Sequence, residues 1–187
     1  MQQKNRIFLL LSLVGLLFLL PAGLYAQDGT SNETALPRQF RQLSLGMSLE
    51  ELQESLASDN LFNFRGARDV SFLPVRQQSL VETTGSSFIR RAFFQLWEGG
   101  VFIMSFALNT AVVDHYSVFT HFVERYGQPS LLNPREAVWE NEETRISIER
   151  PLTVKYIDKN VFNDIIEESS VNESRHVQLR QEFLNEF

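Results

Sequence analysis

Hydrophobic and polar positions divide the chain into four kinds of pattern. Residues 7–20 form an unbroken apolar run apart from Ser12 and Gly15. Two stretches show helical spacing. Leu49, Leu52 and Leu56 share one face, as do Val118, Phe119, Phe122, Val123 and Tyr126. Alternation of period two marks strands: Phe88 to Trp97, Val101 to Leu108, Ala111 to Tyr116, Ala137 to Glu140, Thr144 to Glu149 and Leu152 to Asp158. From Val161 to Phe187 helical spacing returns, with Phe162, Ile165 and Ile166 in one stripe and Leu179, Phe183, Leu184 and Phe187 in another. Ser169-Ser170 is expected to interrupt that helix.

Local signals punctuate these elements. Ser48 and Glu51 form a capping box, and Met47 and Leu52 sit where a hydrophobic staple closes the same helix start. Glu98-Gly99-Gly100 and Asn109-Thr110 predict turns, and Ser117 is the expected cap of the second helix. Gly127 and Pro129 end that helix. Residues 61–85 are long and uneven for a connection, with Val70–Phe72 and Ser79–Val81 as short strand candidates.

These signals predict an α+β fold: two tandem helix-plus-three-stranded antiparallel meander units, followed by a C-terminal helix. The expected divisions are a signal peptide over 1–26, a flexible leader over 27–44, and an α+β domain over 45–159. That domain consists of similar units at 45–116 and 117–159, with a helical segment at 160–187. Trp97-Glu98 echoes Trp139-Glu140, and Val113–Tyr116 echoes Thr153–Tyr156, which suggests a duplicated unit. Two such units side by side would pair into one sheet. The first unit's strands are apolar on both faces, so one face is expected to be covered or docked on a partner.

The N-terminal run determines the compartment. Lys4 and Arg6 precede it, Pro21 and Gly23 end it, and small Ala26 stands before polar Gln27. This is the layout of a secretory signal peptide cleaved between Ala26 and Gln27. The run of about 14 residues is short of the ~20 that span a bilayer. A periplasmic or secreted protein is expected, touching membrane only through this segment if it is retained. The chain has no Cys, so lipidation on Cys, disulfides and thiolate metal sites are all excluded. Removing Lys4 and Arg6 shifts the net charge from −6 to −8, a poor surface for nucleic acid.

Chemistry is sparse. Asp114, His115 and His121 lie close together, but their spacing matches no common metal site, and His176 is remote. Glu140, Glu142 and Glu143 fall in a predicted turn, where burial cannot separate their pKa values for acid–base work. Neither a G-x-S-x-G elbow nor a phosphate-binding glycine loop occurs. No cofactor and no catalytic residue is expected. Phe62, Phe64, Arg65 and Arg68 surround Gly66 with aromatics and arginines, a mix that suits a partner-binding loop. The favoured reading of the same pattern is phenylalanines that fill the core beside solvated arginines.

LGMSLEELQESL resembles the helix opening of small cell-envelope domains of the BamE (SmpA/OmlA-like) type. RYGQP, with the W-E, I-x-I and K-Y strands after it, resembles the turn and meander of the same group. Tandem helix-and-strand units are also similar to the beta-lactamase-inhibitor-protein-like fold. The resemblance implies a non-catalytic envelope domain that binds a protein partner. A carrier or sensor of an apolar small ligand, held by the Phe-rich strands, is the alternative.

Overall fold

The computed structural model describes residues 35–72 and 77–186. Ala26, Gln27 and the apolar run before them lie outside the described residues.

The chain enters as a small hairpin, β1 (Gln39–Phe40) and β2 (Leu43–Ser44), and continues into α1 (Leu49–Ser58). Ser48 accepts from the Glu51 amide while the Glu51 carboxylate accepts from the Ser48 amide at 2.8 Å, so the capping box closes. A 3-10 turn at Gly66–Asp69 leads into four strands: β3 (Val70–Phe72), β4 (Gln78–Thr84), β5 (Ile89–Trp97) and β6 (Gly100–Leu108). Helix α2 (His115–Tyr126) precedes four more: β7 (Leu131–Leu132), β8 (Glu136–Glu140), β9 (Thr144–Glu149) and β10 (Thr153–Asp158). Helix α3 (Lys159–Leu184) follows.

The expected pair of three-stranded units is therefore wrong. The strands form one eight-stranded antiparallel sheet in the order β3-β4-β5-β6-β10-β9-β8-β7, beside the separate two-stranded hairpin. Strands β3 and β4 form at the short candidates of the uneven connection, outside the expected three-stranded units, and the short β7 had no counterpart in the pattern. The predicted strand at 111–116 does not form. Asn109 accepts from the amides of Val112 and Val113, which curls the chain. The Asp114 carboxylate then accepts from the Ser117 amide at 2.9 Å and its hydroxyl at 2.6 Å, so Asp114, not Ser117, caps α2. The internal echo also fails in space. Trp97 ends β5 whereas Trp139 lies in β8, and these strands sit at different distances from the central β6–β10 pair.

One sheet face carries the core. A cross-strand row runs Val81, Phe94, Met104, Tyr156, Ile146, Trp139, and the next runs Thr83, Ala92, Phe106, Val154, Ile148, Ala137. Leu52 and Leu56 of α1 and Leu43 of β2 are fully buried with this face. Phe119 and Phe122 of α2 lie 6.0 and 5.4 Å from the Trp139 ring, whose Nε1 donates to the Gly127 carbonyl at 2.8 Å. Both faces of β6 are apolar and buried: Phe102 and Ile103 are covered as well as Met104 and Phe106. A register shift between Gln95 and Leu96 accommodates the additional residue opposite.

Farther along, the second face is polar. Glu82 pairs with Arg91, Glu149 with Lys155 and Glu136 with Arg145. Helix α3 lies on this side, where Ile165, Glu168, Ser169 and Asn172 border Gln78 and Trp97. The expected break at Ser169-Ser170 is absent. The Ser170 hydroxyl donates to the Glu167 carbonyl at 2.8 Å and Ser174 to the Ser170 carbonyl at 2.9 Å, so both hydroxyls are satisfied within the helix.

Candidate functional site

The residues proposed around Gly66 do not form one surface. Phe62 is buried, 6.4 Å from the Phe94 ring and 6.3 Å from Phe106, and half-buried Phe64 packs on the same core. The Arg65 guanidinium donates to the buried Asp69 carboxylate at 2.6 and 2.8 Å. Asp69 also accepts from the Arg65 amide at 2.9 Å, which closes the 3-10 turn. The hydrogen bond to Asp69 raises the Arg65 pKa further. Arg68 is exposed, with no ion-pair partner among the described residues.

The other chemical candidates are also dispersed. Asp114 is spent on capping, and its hydrogen bonds to Ser117 hold its carboxyl below the usual range. His115 is half-buried and His121 exposed. Among the described residues no three His or carboxylate groups converge as metal ligands would. Glu142 and Glu143 are exposed in the β8–β9 turn, where Asn141 accepts from the amides of Glu143 and Thr144. Tyr156 stands out electrostatically, because burial pushes its phenol up to about 12. It lies within the core row, facing Phe106 at 6.2 Å. The depressions along α3, beside Trp97 and beside Met47 are open to solvent. The large side chains of β5 and β6 on the helix-covered face fill the core.

The surface that remains is α3. Its base is built from three parts of the chain. Asp158, at the end of β10, is buried and accepts from the amides of Asn160 and Val161 at 3.1 and 3.2 Å. Arg38, just before β1, pairs with the same carboxylate and donates to the Thr144 hydroxyl at 3.2 Å. The Lys159 ammonium donates to the Asn141 carbonyl at 2.7 Å, and its amide to the Glu143 carbonyl at 2.9 Å. The start of α3 is thus tied to the β8–β9 turn and to the chain entering the domain.

Beyond this base the helix holds little in common with the core. From Ile166 onward every described α3 side chain is exposed. Val177 is 64% exposed, Leu184 51% and Ile166 53%. At 1.5 Å per residue its 26 residues extend about 39 Å. Apolar spacing marked these positions in the sequence, but spacing alone does not show whether a stripe faces the sheet or solvent. The Arg38–Asp158 pair carried no signal, because its partners are far apart in the chain.

A family model described as the TP0088 domain matches residues 38–168, and the chain belongs to that family. No curated protein matches the chain, and no solved structure does. The match ends at Glu168, so the last part of α3 extends past the family domain.

Proposed function

We propose that this TP0088-domain protein is a non-catalytic protein-interaction domain of the periplasm or extracellular space, serving cell-envelope assembly or maintenance. The observation that carries the reading is α3: a helix fixed at its base that exposes Phe162, Ile166, Val177 and Leu184 to solvent. Exposing apolar side chains along a helix is the mark of a contact surface, since a helix presents i, i+4 and i+7 anchors to a partner. The secretory layout of the first 26 residues supports the compartment. The likeness of LGMSLEELQESL and RYGQP to BamE-type domains supports the envelope role.

The test is crosslinking in the native envelope with the full chain and with a chain ending at Glu168. The residues removed are exposed where described, so the core should remain intact. Crosslinks that vanish with the truncation support the reading. An identical crosslink pattern from both chains overturns it. N-terminal sequencing of the mature protein checks the compartment: a start at Gln27 is expected, and a cytoplasmic protein starting at Met1 or Gln2 refutes it.

A further inference from the structure

We propose that the occupant of the α3 surface is a second copy of this chain, with the two helices packed antiparallel about a two-fold axis between positions 176 and 177. The inference rests on the reading of α3 as a contact surface and names its partner.

The argument starts from the helical projection. Phe162, Ile166, Glu173, Val177, Arg180 and Leu184 fall within an arc of about 60° at 3.6 residues per turn. Ile166, Glu173 and Arg180 repeat at heptad spacing, as do Ser170, Val177 and Leu184. Such a stripe suits a long, shallow crossing with another helix. The sheet-bordering direction carries Ile165, Glu168, Ser169 and Asn172 and is centred about 100° from the middle of the arc, with Ser169 beside the arc's edge.

The charges then select the partner and its direction. Glu173 and Arg180 are exposed, opposite in sign and two turns apart, with Val177 between them. Neither has an ion-pair partner among the described residues. A two-fold contact is self-complementary: if residue i meets residue j, then j meets i. Antiparallel pairing about this axis sets Glu173 of each copy against Arg180 of the other, twice. Parallel pairing would set Glu173 on Glu173 and Arg180 on Arg180, a like-charge arrangement that is unfavourable. In the antiparallel register Val177 lies beside the axis, next to its own copy. Leu184 falls opposite the small side chain of Ser169, at the depression that Ser169, Trp97 and Gln78 border.

Sedimentation of the purified full chain reads the assembly. Wild type is expected to dimerise in a concentration-dependent way. Glu173→Arg alone or Arg180→Glu alone places like charges across the axis and should weaken the dimer at least about tenfold. The double variant restores opposite charges and should recover wild-type affinity within about threefold, which loss of folding would not do. Because the chain lacks Cys, Val177→Cys gives an independent readout: a short bismaleimide should link two copies. Val171→Cys, on the other side of the helix, should not.

A chain that stays monomeric at all concentrations overturns the proposal, as does a dimer indifferent to the charge swaps. Monomeric behaviour combined with envelope crosslinks lost on truncation at Glu168 means that α3 binds a different protein. That outcome refutes the second copy while preserving the interaction reading.

Discussion

Replacing Phe106 by Ala tests whether the sheet behaves as one cooperative body. Phe106 is 1% exposed and lies at the centre of an aromatic cluster. Its ring centroid is 4.5 Å from Phe40 of the N-terminal hairpin, 6.3 Å from Phe62, 5.8 Å from Phe94 and 6.2 Å from Tyr156. Its backbone position pairs with Ala92 on β5 and with Val154 on β10, so it joins the two four-stranded meanders. Deleting a buried phenylalanine ring costs about 3–5 kcal/mol in transfer and cavity terms. Lost edge-to-face contacts add roughly 0.5–1.5 kcal/mol in total once non-additivity is allowed for. A loss of about 3.5–6.5 kcal/mol is a large share of the ~5–15 kcal/mol that holds a domain together. With a urea slope of about 2 kcal/mol/M, the midpoint should fall by about 2–3 M. The two tryptophans report on opposite halves, since Trp97 ends β5 and Trp139 lies in β8. Trp97→Phe and Trp139→Phe backgrounds therefore follow each half separately by fluorescence. The expected result is one transition, shifted equally in both. A midpoint change below about 0.7 M, near 1.4 kcal/mol at that slope, would refute the packing argument. A shift confined to one background would refute the coupling of the halves.

Four further outcomes follow from the packing and the charges. Gly85→Ala should lose about 1–3 kcal/mol in chemical denaturation, because its Cβ would lie 2.3 Å from the Ile89 carbonyl oxygen and 2.6 Å from the Ile89 Cβ; an unchanged midpoint would show that the turn relaxes freely. Ser48→Ala should lose about 1 kcal/mol of stability as the α1 cap is removed. Hydrogen bonds from the Ser48 backbone and hydroxyl hold the Glu51 carboxyl below its ordinary 4.5. The folded value is thus the lower one, so this contribution is present above 4.5 and is lost as pH falls through the folded value. Glu51→Gln should reduce the acid sensitivity seen in thermal melts, and an unaltered pH profile would count against the capping-box geometry. Tyr156, raised from 10.0 to about 12, works in the other direction. Its contribution is complete below 10 and disappears as pH rises through about 12, so ultraviolet titration should show one tyrosine ionising late, together with unfolding. Normal ionisation of every tyrosine in the folded state would contradict its burial.

How much of the fold was legible depended on the range of the interactions involved. The capping box, the turn at Glu98-Gly99 and the alternation of β5, β6, β9 and β10 are written in neighbouring residues, and they lie where the pattern places them. The positive φ angles of 51° at Glu98 and 84° at Gly99 fit a tight primed turn between right-twisted strands. By contrast, Leu131–Leu132 is too short to show alternation and exists as a strand because its longer neighbour β8 supplies its hydrogen bonds. Ala111–Tyr116 failed in the opposite way. Its apolar residues suited a strand, but Asn109 and Asp114 offered the backbone nearby side-chain acceptors and turned it into a helix start.

The sequence by itself determined the absence of cysteine chemistry, the capping of α1 and the apolar stripes of the helices. These depend on composition or on contacts within a few residues. Only the tertiary structure decided that eight strands join through β6 and β10, because sheet order is chosen by packing between segments distant in the chain. Burial likewise separated look-alike residues: Phe62 went to the core, whereas Val177 and Leu184 remained in solvent. Hydrophobicity says only that a side chain gains by leaving water. Which surface receives it depends on what the rest of the fold has already covered.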